Sequence, residues 1–443
     1  MRSNIILSIT LSLATLNAFT ANYYVDSSSG SDSASGTSPA EAWKTLARTR
    51  KGEIKPGDIV HLVCGGIWRE QLIPVSGENG KPVTYTSYSP DNTQDLPPPA
   101  IQSSLDRSKP SDWKSIGEGL WATENVELDI GLLVFNHGEK WGVKKWCDEK
   151  WTKASDFRYA KSIGIRDELD FCCDEKKKRL VLKCAKNPAQ VFRSIELCLR
   201  KDVISSHRAH DVVYDGLWVR YGSGHGIAAG LTENIVIRNC RISWIGGALQ
   251  YWRKDRLTGD TLYPVRYGNG IELWGETKNA LVESNHLSQI YDAALTNQGR
   301  EGVQENITWR SNTIEKAEFS FEYWHAGETR NILFEGNICR DAGFGWGHEQ
   351  RPDKNGTHIL FYENDAATEN FVIRGNTFID ARNWTVRMLN DWRKSLRIKD
   401  NHIQSLPEVP VIRWLTGMHE TFFDIDGFKA LGFDDINCFY RSH

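Results

Sequence analysis

The chain has 443 residues, a formal charge of −3 at pH 7 and 25% charged residues. This balance offers no basic footprint for nucleic acid or an anionic membrane. Beyond the first residues no apolar run is long enough to span a bilayer, which argues against stable membrane insertion.

Residues 1–21 read as a secretory signal: Arg2, an apolar run from Ile5 to Leu16, then Ala18 and Ala21. The expected location is therefore outside the cell or in the periplasm. Residues 22–109 are expected to hold an N-terminal cap and the first coils of a solenoid. Tyr23-Tyr24-Val25 opens as a strand, an amphipathic helix is expected over about Pro39 to Arg50, and Gly57-DIVHL and Lys81-PVTYTSY read as strands. Residues 110–203 carry strands with tight turns, such as Gly131-LLVFNHG and Leu180-VLKC, and read as a small inserted antiparallel β-domain.

The pattern changes over 204–406. Asn234-IVIR-Asn239, Asn279-ALVES-Asn285, Asn306-ITWRS-Asn312, Asn331-ILFEG-Asn337 and Asn370-FVIRG-Asn376 repeat one motif, and Ser395-LRIKD-Asn401 repeats it without the first Asn. Neighbouring second asparagines recur at 27, 25 and 25 residues, with gaps of 46 and 39 where insertions fall. A fixed period of this size means one supersecondary unit stacked on itself. Alternating apolar residues make each unit strand-like, so the expected fold is all-β: a right-handed parallel β-helix with stacked Asn turns. Residues 407–443 are expected to leave the repeat as a C-terminal cap.

The nine cysteines include no pair at metal-ligand spacing. Buried free thiols are expected, with disulfides left open among Cys147, Cys172, Cys173, Cys184 and Cys198. Tryptophan is over-represented at 17 residues. Narrow coils favour Val, Ile and Leu inside, so many Trp are expected at strand ends, loops or the outer face, where rings stack on sugars.

The segments YYVDSSSGSD…AWKTL…GD and SGENGKPVTY, followed by the Asn-turn coils, resemble the pectin-lyase-like superfamily of secreted carbohydrate-active β-helix proteins. The interrupting β-domain is similar to that of glycoside hydrolase families with a β-sandwich inserted in the helix. The resemblance implies a polysaccharide or oligosaccharide partner. It matches no family's catalytic motif residue by residue, so it assigns no role.

Aligning coils on their asparagines stacks side chains in columns about 4.8 Å apart per rung. One expected column is Ala228, Glu272, Leu295, Glu322, Gly347 and Val386; another is His225, Asn269, Asp292, Phe319, Phe344 and Asn383. Glu272, Asp292 and Glu322 then cluster, as two-carboxyl glycoside hydrolysis requires. His348 is a further candidate acid or base. Trp252, Trp274, Asn297, Tyr323, Trp324, Trp346, Arg351 and Asp353 are candidate substrate contacts, and an Arg351–Asp353 pair that only folds its loop is the competing reading. The leading expectation is a secreted, monomeric glycoside hydrolase. A polysaccharide lyase using Arg351 or Arg300 with His348 or Tyr323, and a non-catalytic sugar-binding solenoid, stay open. No cofactor is evident, and scattered carboxylates leave Ca²⁺ open.

Overall fold

The computed structural model describes residues 20–90, 95–146, 164–254, 257, 259, 261–362, 367–405, 409, 411–416, 419–423 and 436–440. Residues 1–19 of the segment expected to be a signal over 1–21, and most of the C-terminal tail, lie outside these residues.

The chain winds into a right-handed parallel β-helix whose coils have three faces. The first face stacks His210–Asp215, the second half of Ile227–Arg238, the second half of Ile271–Glu283, Val303–Arg310, Glu328–Glu335, Thr368–Arg374 and Leu396–Lys399. The second carries Trp218–Gly222, Arg241–Ile245 and the start of His286–Gly299. The third carries the first half of Ile271–Glu283 and the ends of His286–Gly299 and Thr313–His325, then Thr357–Phe361 and Trp384–Met388. All these pairings are parallel.

Single left-handed residues turn the chain at the corners. Asn234, Asn279, Asn306, Asn331 and Asn370 hold φ of 52–55° before the first face. Asn tolerates this conformation better than other side-chain-bearing residues. Their exposed amides link rung to rung, as in Asn306 Nδ2 to Asn279 Oδ1 at 3.1 Å. An inner ladder follows. Asn285 Nδ2 donates to Asn312, Asn312 to Asn337 and Asn337 to Asn376, each at 3.0 Å, and Asn376 donates to Asn401 at 2.8 Å.

Asn239 does not belong to this inner column. Arg241 pairs with His286, which puts Cys240 opposite Asn285, and the Cys240 N–H donates to Asn285 Oδ1. Asn239 is itself the left-handed corner residue (φ 53°), with its amide on Asp215 at 2.8 Å. This Asn thus falls one residue before the inner column, whose place Cys240 takes.

The interior is a continuous column of Val, Ile, Leu and Phe, but it also takes Trp43, Trp68, Trp309 and Trp392. Narrow coils thus still admit four of the 17 Trp. Trp309 fits because its indole N–H finds Asn297 Oδ1 at 3.0 Å inside the coil. The helix expected over 39–50 is instead two 3-10 turns, Pro39–Glu41 and Leu46–Arg50. Between them Trp43 bridges Val25 in strand fashion and is buried, and that register defeats the helix.

Residues 104–199 supply two further sheets. Lys114–Gly117, Leu120–Glu124, Arg179–Lys183 and Asp170–Asp174 pair antiparallel, and Val143–Lys144 joins Asp170–Asp174 in parallel. Ser104–Asp106, Ile195–Leu199, Ile130–Phe135 and Lys140–Trp141 form an antiparallel four-stranded sheet. Trp113, Leu133, Phe135, Phe171, Leu182 and Leu197 fill the space between the two. The four-stranded sheet packs Leu132, Val134 and Cys198 onto Tyr221, Tyr291 and Trp346 of the solenoid. Gly131 permits the approach, since a Cβ there would lie 2.3 Å from the backbone of Gly247 and Ala248.

The tail beyond 407 still adds to the stack. Ile412–Thr416 pairs parallel with Trp384–Met388, and Ile436–Tyr440 pairs parallel with Asn401–Ser405. The seven cysteines whose side chains are described, Cys64, Cys172, Cys173, Cys184, Cys198, Cys240 and Cys339, are free thiols.

Candidate active site

The third face brings the acids together. Glu272 pairs in register with Thr296, and Thr296 with Glu322. The two glutamates thus stand on one column, two rungs and about 10 Å apart at the backbone. The intervening residue is Thr296, not Leu295, because a bulge between Ile290 and Ala293 shifts the register by one. The next rung presents Leu360 and the one after it Arg387, in place of Gly347 and Val386. The loop over 343–356 precedes its strand, which starts only at Thr357.

Both glutamates are 5% exposed, and their partners differ. Glu272 Oε2 accepts from Asn269 Nδ2 at 2.8 Å and lies 3.2 Å from His225 Nε2. His225 Nδ1 accepts the Asn269 backbone N–H at 3.1 Å, which leaves the ring proton of a neutral His225 on Nε2, pointing at Glu272. Glu322 Oε2 accepts from Gln298 Nε2 at 2.5 Å and lies 3.5 Å from Thr296 Oγ1. Burial, then the nearby negative charge of Asp292, pushes Glu322 up to about 8. Near neutral pH it therefore holds its proton. With Oε2 occupied as an acceptor, that proton belongs on Oε1.

Asp292 lies beside this pair and is held by Arg351 Nη1 at 2.9 Å. Burial raises its pKa, the Arg351 charge opposes this, and Asp353 adds to the rise. Arg351 is buried, stacks 4.9 Å from the Tyr291 ring centroid, and also reaches Asp353 at 3.3 Å. His348 Nδ1 binds Glu318 Oε2 at 2.9 Å. Glu318 Oε1 accepts the backbone N–H groups of Asn355 and Gly356 at 2.6 and 2.9 Å. Burial alone would raise Glu318, but the His348 hydrogen bond and the Arg351 charge outweigh it and hold it low. His348 and Arg351 thus fold the loop and are already paired.

Trp274, Gln298 and Trp324 share an outward column on the same face. Trp274 is 37% exposed, and Trp324 lies 6.2 Å from Tyr362. Burial and the Glu322 charge raise the Tyr362 phenol. The structure places four candidate contacts elsewhere than this outward column. Tyr323 and Asn297 face the coil interior, where Tyr323 Oη meets Thr329 Oγ1 at 2.6 Å and Asn297 Nδ2 meets Gln304 at 2.7 Å. Side chains alternate along a strand, so the residue after outward Glu322 must point inward. Trp346 is 2% exposed under the four-stranded sheet. Trp252 sits out on the hairpin of Ala248–Lys254 and Thr261–Tyr267, against Trp146 at 5.1 Å.

His225, Asn269, Gln298, Glu318 and Tyr362 join the predicted residues around the acids. His225 and Asn269 were legible as a column next to Glu272, and Gln298 as the neighbour of Thr296 once the register is corrected. Among the described residues no group of three or more His, Cys, Asp or Glu side chains is arranged to hold a metal ion.

The stacked three-faced coils decide the fold. The architecture is a right-handed parallel β-helix. No family model matches the chain, and no curated protein does. Among solved structures, XylC in complex with xylose is similar over 95% of this chain and 82% of its own, at 9% identity and a TM-score of 0.48. A glycoside hydrolase is similar over 90% and 95%, at 9% identity and a TM-score of 0.45. An alginate lyase from Paenibacillus sp. is similar over 84% and 96%, at 10% identity and a TM-score of 0.36. Likeness at this level transfers no residue role to this chain.

Proposed function

We propose that this pectin-lyase-like β-helix is an exported glycoside hydrolase that cleaves a polysaccharide along its third face. Glu322 is the general acid: its Oε1 proton passes to the glycosidic oxygen as the bond to the anomeric carbon breaks. Glu272, fixed by Asn269 and His225, is the general base that takes a proton from the attacking water. The observation that carries this reading is the unequal pair: one buried glutamate held protonated, and a second two rungs away held as an acceptor by two donors. Enzymes that run acid and base chemistry together set two carboxyls apart in this way.

A separation near 10 Å at the backbone leaves room for a water and favours inversion over retention. Asp292 is engaged by Arg351, which makes it a charge that tunes Glu322 rather than a free nucleophile. The lyase reading loses ground because Arg351 and His348 are already bound to acids and Tyr323 faces the coil interior, which leaves it only the exposed Arg300 as a cation and no placed base.

A polysaccharide panel tests the proposal through its products. Hydrolysis yields new reducing ends without unsaturated-uronate absorbance, with anomeric inversion by NMR. Reducing ends accompanied by that absorbance, or retained stereochemistry, would contradict it.

A further inference from the structure

Around the corner from the carboxylates, the second face carries a groove of about 500 Å³ lined by Trp218, Arg241, Ser243, Trp244, His286 and Ser288. None of these residues belongs to the site above. The volume lies within the range of ligand pockets, roughly 300–1,000 Å³. Trp218, Arg241 and His286 occupy successive rungs of one outward column.

Both indoles are held in place. Trp218 Nε1 donates to Ser243 Oγ at 3.0 Å, and the Arg220 guanidinium lies 4.1 Å from the centroid of its ring. Trp244 meets Trp141 of the four-stranded sheet at 5.9 Å, and Gly138 presses so close that a Cβ there would lie 2.5 Å from the Trp244 ring. His286 is paired with Glu315 at 3.2 Å. Arg241 is exposed, and among the described residues no carboxylate pairs with it. A merely solvated sheet face has no use for two fixed, half-buried indoles beside an uncompensated guanidinium.

We propose that this groove is a second carbohydrate-binding site, for an acidic polysaccharide. Sugar C–H faces lie on Trp218 and Trp244, and hydroxyls meet Ser243 and Ser288. A carboxylate or sulfate meets Arg241, whose guanidinium can donate to two oxygens of either anion at once. The inference rests on reading the chain as a polysaccharide-acting protein. It adds that the polymer is anionic and that binding extends beyond the cleavage site.

Affinity electrophoresis of the full chain through gels holding polygalacturonate, alginate or neutral xylan tests this without turnover. Wild type is expected to be retarded by an acidic polymer. W218A should weaken that retardation about two- to tenfold, the range expected of one aromatic contact. R241E should abolish it, with unchanged melting temperature and unchanged cleavage of short oligosaccharides. Retardation that survives R241E, retardation only by xylan, or none by any polymer overturns the site. E322Q separates the two proposals: it should lose cleavage and keep retardation. Arg241-dependent retardation by a chain that cleaves nothing would sink the hydrolase and spare the groove. Cleavage without such retardation would do the reverse.

Discussion

Two buried polar columns run along the same solenoid and obey opposite rules. In the inner Asn ladder every described amide is satisfied. Asn312 Nδ2 donates to Asn337 Oδ1 and to the Val282 carbonyl, both at 3.0 Å, and its Oδ1 accepts from the Asn285 backbone and side chain. All members are neutral, so burial costs little once the hydrogen bonds are made. In the column of Glu272, Thr296 and Glu322 the buried groups are acids, with Asp292 alongside. Burial and mutual repulsion there raise Glu322 instead of being relieved. The ladder spends its polarity on holding coils together. The acid column stores a proton where a bond can be broken.

The sharpest way to break this contrast is to make the acid column resemble the ladder. E322Q removes the proton donor, and E272Q removes the base, while each keeps nearly the same shape. Each should lower turnover roughly 100- to 10,000-fold. Neither should lower the midpoint of denaturant unfolding, because an amide keeps the shape and an acceptor oxygen for the donors at each site. Unimpaired turnover in both would end the hydrolase reading. The reverse experiment spoils the ladder. N312A strips Asn285 of its acceptor and leaves the Val282 carbonyl short of a donor, and should cost about 3 kcal/mol in denaturant unfolding.

A smaller effect tests Asp292. Its charge helps to raise Glu322, so D292N should move the alkaline limb of the rate profile to lower pH while turnover falls less than about tenfold. A loss as large as that of E322Q would make Asp292 the nucleophile of a retaining enzyme. The smallest effect belongs to the exposed outer ladder. N306G should cost less than about 1 kcal/mol, since glycine keeps the left-handed corner and water replaces the lost hydrogen bond. A cost equal to that of N312A would mean that burial is not what distinguishes the two columns.

The fold was legible because Asn312, Asn337 and Asn376 repeat at the spacing of whole coils, and a stacked amide needs its partner in register on every rung. Proximity of Glu272 to Glu322 followed from the same spacing. What lay between them did not, because one bulge near Ile290 exchanges Leu295 for Thr296. Period counting cannot see a bulge. The inward turn of Tyr323 follows from alternation beside an outward Glu322 and was within reach of the sequence, whereas that of Asn297 needed the bulged register. His348 and Arg351 looked free because their partners, Glu318 and Asp292, lie 30 and 59 residues away in sequence. Trp346 looked like a sugar platform because no sequence pattern marks where a separate sheet will dock.

The most direct test of the account is kcat/KM against pH on whichever polymer the panel yields. Glu322 is raised from an ordinary value of 4.5 to about 8, so its protonated form is favoured by the fold. The stability this contributes is complete below about 4.5 and is lost as pH rises through 8. Turnover should follow the same proton, staying high through neutrality and falling on a limb near 8 that shifts in D292N. A limb in the ordinary carboxylate range, with turnover already lost at neutral pH, would mean that Glu322 is ionised there and cannot be the acid.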